Sequence, residues 1–581
     1  MLFIVVYRMV ERMARFVLVS DYTLINDYRN FPLLDFLPCA PAKIVPGPIY
    51  KFLKGPPVPE LPNHETLLAP YSIRKLEAAL LQRFARSEIA VPHERHIERF
   101  IGNETELIVV STMDPLGIGP LTMSYATLFN DSSYLAWVRC EWESLIARLN
   151  SARNGKKAKL IVGGPGVWEF TLMPDELDKE GIDYAFQGES DDVICDLFEQ
   201  LTSGSLDHSK FYNGFLSYDD NFRAAYHEHP KFICRNPSSK RIFPMLEEIP
   251  LITRPAMKGM VETMRGCGIG CDFCEVTLRP LRYYSPEMVA REVEVNVNNG
   301  NGRSNAWLHS DEFFAYKHGR FYQPNEEALT ELISAAMGVK GVVRANPTHA
   351  RISIPAAYPD MIERLSRLLK AGPRNWIGVQ VGLETGSSRL AMLHMPNKTL
   401  PLRIGPDGDW QEIVWNGVRN FTKHFWRPAF TIQVGQRDET DEDNWESVAL
   451  INRLSISEVD GRPFEFTVTP MYNMPLGKIK SKSFSTETLT PAQLAVYYAS
   501  YRHLAKMANR NASKESTGNP LVRLGTTGII SIGGTLLMDF VGRIAKRRGT
   551  DIEKAKRYGI EAGSTLAPRT YTITSVQQIM N

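Results

Sequence analysis

The chain has 581 residues, of which 43% are hydrophobic, 10% aromatic and 23% charged. This is the composition of an ordinary globular protein, and it excludes collagen-like, low-complexity and wholly disordered chains. The formal net charge is only +2, so no sequence-wide basic field indicates a nucleic-acid partner. Seven cysteines are too few for a disulfide framework, and they indicate a reducing, cytoplasmic location.

Apolar stretches near the two ends of the sequence do not indicate a membrane segment. Met1–Tyr7 is followed at once by Arg8, and no small-residue cleavage site comes after it. The uncharged run Leu524–Met538 has 15 residues, whereas a membrane-spanning helix needs about 20. We therefore expect a soluble protein without a membrane segment.

Residues 1–205 alternate between strand and helix patterns. Helical periodicity occurs at 73–84, 135–149 and 191–201, and short apolar runs indicate strands at Phe16–Ser20, Leu107–Val110, Leu160–Val162 and Asp183–Phe186. The alternation predicts a doubly wound, Rossmann-like α/β domain. The segment Phe31–Pro70 is rich in proline, so we expect an extended covering loop there.

A second alternating series occupies residues 251–460, after an aperiodic segment, 206–250, that we expect to be a linker. Strands are indicated near Val261–Met264, Ala306–His309, Arg351–Ile354, Ile377–Gly382 and Ala429–Val434, with helices near 286–297, 360–371, 410–424 and 443–454. Repeated βα units predict a full or partial (β/α) barrel, with its active site at the carboxyl ends of the strands. Residues 461–581 are expected to form a small mixed C-terminal domain that helps to dock the substrate.

Three of the cysteines, Cys267, Cys271 and Cys274, form a C-x3-C-x2-C motif directly after a predicted strand. Three thiolates can hold three irons of a [4Fe–4S] cluster and leave the fourth iron open for chemistry. The alternatives are a zinc knuckle that lacks its fourth ligand and three core cysteines. The nearest histidine, His309, is 35 residues away, and glycines between the cysteines indicate a flexible loop. Both observations favour the cluster.

The motif and the strands around it resemble the radical S-adenosylmethionine (SAM) superfamily over roughly residues 259–460. The resemblance implies a [4Fe–4S] cluster that binds SAM at its open iron and cleaves it to a 5′-deoxyadenosyl radical, with an external electron donor. It also implies that Phe273 lies near the adenine, that Asp311 or Glu312 contacts the methionine amino group, and that Glu384 lies near the ribose. Without the cysteines, each acidic residue could equally belong to a solvated turn.

Glycine-bearing loops follow three predicted strands of the N-terminal domain, and together they resemble the cobalamin-binding domain that precedes many radical SAM domains. The resemblance implies cobalamin contacts from Thr112, Met113, Asp114, Gly117 and Gly119 in the first loop, Gly163, Gly164 and Gly166 in the second, and Gly188 and Glu189 in the third. The first loop lacks the histidine of the D-x-H-x-x-G pattern, so no lower axial ligand of cobalt is identified. Each loop alone could be a plain turn.

Together the two halves resemble cobalamin-dependent radical SAM methylases. The resemblance implies hydrogen abstraction from an unactivated sp3 carbon of a peptide or protein residue, followed by methyl transfer from methylcobalamin. Within that family, Asp21–Asn30 and Ser111–Pro120 are most similar to the archaeal enzymes that C-methylate a glutamine of methyl-coenzyme M reductase, a protein of methanogenesis. Such a methylation would be a post-translational modification.

Other functions stay open at this point. The same cofactors could support non-methylating chemistry or act on a small molecule, and a non-enzymatic cobalamin- or metal-binding sensor is a further alternative. Tyr472, after a late strand, is the candidate catalytic acid or base, with core packing as its alternative.

Overall fold

The computed structural model describes residues 13–30, 32–130, 134–218, 223–239, 241–299, 302–474, 488–515, 520–560 and 566–571. Within these residues, the chain forms an N-terminal parallel sheet domain, a second set of parallel βα units, and C-terminal helices, in the order predicted. The apolar segment Met1–Tyr7 lies outside the described residues.

A seven-stranded sheet forms the core of the N-terminal domain. Its strands are β1 (Phe16–Ser20), β2 (Ile89–Ala90), β3 (Leu107–Ser111), β4 (Lys159–Gly163), β5 (Tyr184–Gln187), β6 (Phe211–Tyr218) and β7 (Ala224–Arg235). They lie in the order β2-β1-β3-β4-β5-β7-β6, and all neighbours pair in parallel except β7 and β6. The predicted doubly wound α/β domain is therefore confirmed.

Helices cover both faces of this sheet. They are α1 (Gly47–Lys54), α2 (Tyr71–Leu80), α3 (Pro120–Phe129), α4 (Trp137–Arg153), α5 (Trp168–Leu172), α6 (Glu176–Lys179) and α7 (Ile194–Ser203). Successive strand side chains point to opposite faces, so Val17 packs with Trp142 on one side while Phe16 packs with Phe198 on the other. Burial on both faces explains why these strands are continuous apolar runs.

Two local expectations for this domain were wrong. Residues 206–250, expected to be a linker, contribute the hairpin β6–β7. The first part of β7 is mostly exposed on both faces, so it carries no alternating pattern from which a strand could be predicted. The proline-rich segment Phe31–Pro70, expected to be an extended loop, contains α1, where Pro48 lies in the first helical turn and needs no N–H donor.

Ten strands belong to the second α/β unit, which is the expected partial barrel, and six of them form its two parallel ladders. Its strands are β8 (Met260–Glu262), β9 (Met264–Arg265), β10 (Arg282–Tyr283), β11 (Ser304–His309), β12 (Val342–Pro347), β13 (Ile377–Glu384), β14 (Trp426–Val434), β15 (Glu458–Val459), β16 (Arg462–Pro463) and β17 (Thr467–Tyr472). The parallel ladders are β8-β11-β12 and β13-β14-β17, and a bridge between His349 and Gln380 joins them. The short pairs β9-β10 and β15-β16 are antiparallel.

Helices α8 to α14 accompany these strands. They are α8 (Pro286–Asn299), α9 (Glu326–Gly338), α10 (Ser353–Ala357), α11 (Pro359–Leu368), α12 (Ser388–His394), α13 (Trp410–Lys423) and α14 (Asp441–Ile456). The strand predicted at Arg351–Ile354 was wrong, because the preceding strand β12 ends at Pro347 and α10 begins at Ser353. The segment Arg351–Ile354 is fully buried in the structure, and so short a segment cannot be assigned to a strand or a helix by periodicity alone.

Long helices dominate the C-terminal region: α15 (Pro491–Glu515), α16 (Pro520–Arg547) and α17 (Ile552–Arg557). The uncharged run Leu524–Met538 belongs to α16, which is long and apolar enough to cross a membrane by length and composition alone. Only 6% of its most apolar stretch is buried inside the structure. The absence of a membrane segment therefore stays a prediction.

Candidate functional site

The three motif cysteines lie in the loop between β9 and β10. Cys267 and Cys271 are buried and Cys274 is partly buried. Three thiols in one short, largely buried loop are a suitable set of ligands for the predicted [4Fe–4S] cluster.

Glycine conformation shapes this loop. Gly266 has φ +78°, and a β-carbon there would come within 2.6 Å of the carbonyl oxygen of Arg279. Gly268 and Gly270 also have positive φ. Because side chains at such positions are strained, glycine is needed for the loop to fold back over the cysteines.

The two acidic residues predicted after β11 have different surroundings. Asp311 accepts a hydrogen bond from the backbone N–H of Gly266 at 2.6 Å, so it lies beside the cysteine loop. Glu312 is buried and accepts hydrogen bonds from the backbone N and Nε of Arg351 at 3.2 and 3.0 Å. Of the two, Asp311 contacts the cysteine loop, and Glu312 is engaged in a buried ion pair.

A buried ion pair lies at the end of β13, next to the cysteine loop. Nζ of Lys398 is 3.0 Å from Oε1 of Glu384, and Nε2 of Gln433 donates to the other carboxylate oxygen at 3.0 Å. Burial disfavours the charge of Lys398, but Glu384 and Cys271 outweigh this effect and raise the Lys398 pKa. Sequence reasoning missed Lys398 because a single lysine in the loop after α12 belongs to no motif.

Further contacts hold the loop from the side of α12, where sequence reasoning identified no residue. The Nδ2 group of Asn397 donates to the carbonyl of Ile269 at 2.9 Å. Nδ1 of His394 lies 3.0 Å from a carboxylate oxygen of Asp272. Phe273, predicted near the adenine, is partly buried and packs against the main apolar cluster.

At the carboxyl edge of the N-terminal sheet, the first two predicted glycine loops pack against each other. A β-carbon on Gly166 would lie 2.7 Å from the backbone of Met113, and one on Gly164 would lie 2.9 Å from Oγ of Ser111. Gly166 N–H also donates to the carbonyl of Thr112 at 3.0 Å. These glycines permit close packing between the loops.

Gly163 and Gly188, in contrast, border open space. A β-carbon built on either one meets no described atom within 4 Å. These two positions, after β4 and after β5, leave the edge of the sheet accessible to a large ligand. An open sheet edge of this kind fits the predicted cobalamin site.

Asp114 has a structural role in the first loop. Its carboxylate accepts hydrogen bonds from Gly119 N–H at 2.9 Å and from the Thr122 hydroxyl at 2.5 Å. A β-carbon on Gly119 would come within 2.9 Å of that carboxylate, and Gly117 has φ +69°. Asp114 therefore fixes the turn that leads into α3.

Two further buried carboxyl groups lie near this loop, and sequence reasoning identified neither. Asp21 accepts a hydrogen bond from the Thr112 hydroxyl at 3.2 Å, and burial raises its pKa to about 6. Glu169 in α5 accepts a hydrogen bond from Leu116 N–H at 2.7 Å, and burial followed by the charge of Asp114 raises its pKa well above the usual range. Acidic groups thus surround the base of the first loop.

Two sets of contacts join the carboxyl edges of the two sheets, and we call them together the domain junction. Glu189, after β5, accepts hydrogen bonds from Arg265 at 2.7 Å and from Arg282 at 2.7 and 2.8 Å. At the end of β17, the backbone N–H of Tyr472 donates to Oγ of Ser124 at 2.6 Å. The Tyr472 side chain packs beside the apolar cluster around Ile118. The cysteine loop and the first glycine loop are thereby brought to the same junction.

No protein of curated function matches the sequence. Among solved structures, the chain is similar to the radical S-adenosylmethionine methyltransferase TsrM from Kitasatospora setae with cobalamin and a [4Fe–4S] cluster bound. That similarity has 14% identity and a TM-score of 0.46, and it covers 80% of this chain and 74% of that chain. The same enzyme with tryptophan substrate and aza-SAM bound gives 15% identity and a TM-score of 0.41, over 80% of this chain and 75% of that chain.

The cobalamin-dependent S-adenosylmethionine radical enzyme OxsB is similar at 11% identity and a TM-score of 0.48, over 91% of this chain and 72% of that chain. A family model gives a more specific result, because it matches a defined segment that includes all three cysteines of the motif. Residues 261–451 match the radical SAM superfamily.

Proposed function

We propose that the chain is a cobalamin-dependent radical SAM C-methyltransferase. The observation that carries the proposal is the domain junction, where Glu189 and Tyr472 connect the edge of the N-terminal sheet to the barrel. A methyl donor and a hydrogen-abstracting radical must reach one substrate carbon, so their binding sites must face each other. The family match over residues 261–451 supports the radical half of the proposal.

Cys267, Cys271 and Cys274 would hold the [4Fe–4S] cluster, with SAM beside Phe273, Asp311 and Glu384. When bound, the cluster with SAM supplies a carbon radical, and cobalamin supplies a methyl group. Asp311 orients the cysteine loop through its hydrogen bond to Gly266. Lys398 places a buried positive charge beside Cys271 and Glu384, where it would favour an anionic group such as a carboxylate.

Cobalamin would lie on the open edge formed by Gly163 and Gly188, next to the Thr112–Gly119 loop. Asp114 and Glu189 are engaged within the protein, so their proposed contribution is to hold the loops in place. The apolar environment of Tyr472 and its position at the domain junction support a role at the substrate. Its phenol is the candidate proton donor there.

The proposed substrate is a peptide or protein residue, and the first candidate is the glutamine of methyl-coenzyme M reductase, with an external electron donor, in the cytoplasm. The choice rests on the resemblance of Asp21–Asn30 and Ser111–Pro120 to the enzymes that methylate this glutamine. A cavity of about 480 Å³ between the N-terminal domain and α16 also supports docking by the C-terminal region. Phe129 and Phe540 contribute apolar surface to it, and Arg548 contributes positive charge.

The test is product analysis on the full chain with both cofactors loaded, under anaerobic conditions, with methyl-labelled SAM, a glutamine-containing peptide and a low-potential chemical reductant such as dithionite, which supplies the electron for SAM cleavage. We expect deoxyadenosine, S-adenosylhomocysteine and a singly methylated peptide. Deoxyadenosine without S-adenosylhomocysteine would favour the non-methylating alternative. Release of neither product would contradict an enzymatic function and would favour the alternative of a non-enzymatic cobalamin- or metal-binding sensor.

A further inference from the structure

We propose that Glu60, His64 and His96 form a zinc-binding site on the N-terminal domain. One ligand atom of each side chain lies within 4.8 Å of the others, and no other trio of His, Cys, Asp or Glu among the described residues meets that distance. None of these residues belongs to the domain junction or to the cofactor loops. The inference therefore stands apart from the proposed function.

The distances between the three side chains suit a small divalent cation. Nε2 of His96 lies 3.0 Å from Oε2 of Glu60, and the ring centroids of His64 and His96 are 4.4 Å apart. In a tetrahedral zinc site with bonds of about 2.0–2.1 Å, neighbouring ligand atoms are roughly 3.4 Å apart. Small side-chain adjustments would bring the three atoms to that spacing.

The surroundings of His64 also point to a missing ligand. Its Nδ1 atom is buried and has no hydrogen-bond partner among the residues that the structure describes. A buried polar atom without a partner is unfavourable. A zinc ion bound at Nδ1 would give this atom a partner. His93, the neighbouring histidine, already uses Nε2 with the Val58 carbonyl and Nδ1 with Arg95 N–H.

Two imidazoles and one carboxylate form a ligand set typical of zinc, and they leave a fourth position for water. The three side chains come from two segments. Glu60 and His64 belong to the proline-rich insertion, while His96 follows β2. Backbone contacts already place the segments together, because His93 N–H donates to the His64 carbonyl at 2.9 Å. Zinc would fasten the insertion to the edge of the N-terminal sheet.

Arg99 provides an internal modulator of the site. Its Nη1 lies 3.1 Å from Nε2 of His64, and its side chain is exposed. Zinc binding would require this guanidinium to move away, and its positive charge opposes a second cation nearby. Removing this exposed positive charge should make zinc bind about fivefold more tightly, which corresponds to a change of roughly 1 kcal/mol in the free energy of zinc binding.

The test uses the full chain with its iron–sulfur cluster assembled, so that the three cysteines are not available to zinc. Zinc content is measured after dialysis, and the zinc K-edge X-ray absorption spectrum reports the ligands. We expect one zinc per chain with nitrogen and oxygen at about 2.0–2.1 Å and no sulfur at about 2.3 Å. A sulfur shell, or no retained zinc, would overturn the proposal.

Variants assign the ligands. His64→Ala, His96→Ala and Glu60→Gln should each lose most of the zinc, whereas His208→Ala, which alters an exposed histidine elsewhere on the same domain, should retain it. Arg99→Ala should bind zinc about fivefold more tightly in competition with a chelator. Equal zinc content in the histidine variants and in His208→Ala would refute the site. Far-UV circular dichroism identifies any variant that fails to fold.

Discussion

Glu189 of the N-terminal domain accepts a hydrogen bond from Arg265, which stands two residues before the first cysteine of the motif. The same carboxylate also binds Arg282, just after the cysteine loop, through two nitrogens. Burial disfavours the ionised carboxylate, but the hydrogen bonds and charges of Arg282 and Arg265 outweigh it, so the Glu189 pKa is lowered. Glu189 thus links the carboxyl edge of the N-terminal sheet to both ends of the cysteine loop.

The first prediction concerns the stability of this link. Glu189→Gln removes the negative charge and leaves Arg282 without an acidic partner in its buried position. Removing one partner of a buried ion pair leaves the other charge uncompensated. This should lower the free energy of unfolding by about 3 kcal/mol. The measurement is chemical denaturation followed by circular dichroism, under anaerobic conditions.

Glu199→Gln serves as the matched control, because Glu199 pairs with Arg83 at the surface, where both side chains are more than 40% exposed. Surface ion pairs contribute roughly 0–1 kcal/mol. Similar losses in the two variants would show that Glu189 contributes no more than an exposed ion pair.

The pH dependence of stability provides the second prediction. Burial raises the pKa of Asp21 to about 6, so the folded protein holds this proton more tightly than the unfolded chain, where aspartate titrates near 4. The stability contributed by the proton is present below about pH 4 and is lost as the pH rises through about 6. Asp21→Asn, which stays neutral, should gain about 1 kcal/mol relative to the unaltered protein between about pH 5 and about pH 7.5.

Asp207→Asn is the control for that titration. Hydrogen bonds from the hydroxyl and the backbone N–H of Ser209 lower the pKa of the exposed Asp207. Its substitution should therefore produce no gain as the pH rises. A stability difference for Asp21→Asn that is flat across the same pH range would show that the fold does not raise the pKa of Asp21.

The third prediction concerns the cluster. Cys271→Ala should abolish the iron absorbance and all formation of deoxyadenosine, because two thiolates cannot hold the cluster with a single open iron. Cobalamin should still bind, since its proposed edge lies on the other sheet. Cys195→Ala, at a buried cysteine in α7, should keep both iron and activity. Reductive SAM cleavage by Cys271→Ala would be incompatible with the assigned cluster site.

The fourth prediction concerns the edge of the N-terminal sheet where cobalamin is proposed to bind. A side chain placed there should occupy the space that the cofactor needs. Gly163→Leu adds a side chain whose β-carbon would meet no described atom within 4 Å, so the protein should fold with a stability change of no more than about 0.5 kcal/mol. The added side chain should weaken cobalamin binding at least about tenfold, a loss of roughly 1.4 kcal/mol. Cobalamin absorbance after gel filtration measures the bound fraction.

Gly338→Leu, at another glycine whose added β-carbon would meet open space, should leave cobalamin binding unchanged. If Gly163→Leu also bound cobalamin at full strength, the ligand would have to lie elsewhere on the domain.

The fold class followed from the sequence because local patterns determine strands that are buried on both faces. The strand predicted at Phe16–Ser20 has the same bounds in the structure, and the helix predicted at 410–424 lies within one residue of α13. Exposed or ambiguous segments were misassigned, as the hairpin β6–β7 and the run at Arg351–Ile354 illustrate. Their side chains carry no periodicity that separates the possible structures.

The amino-acid sequence by itself determined the parallel α/β architecture and the cysteine motif, since both depend on residues that are close along the chain. Only the tertiary structure decided that Glu189 bonds to Arg282, 93 residues away, and that His64 lies beside His96. It also decided that Lys398 pairs with Glu384 and that Glu312 is engaged by Arg351. Such contacts depend on how loops from separate strands meet at a shared edge, and no local pattern specifies that meeting.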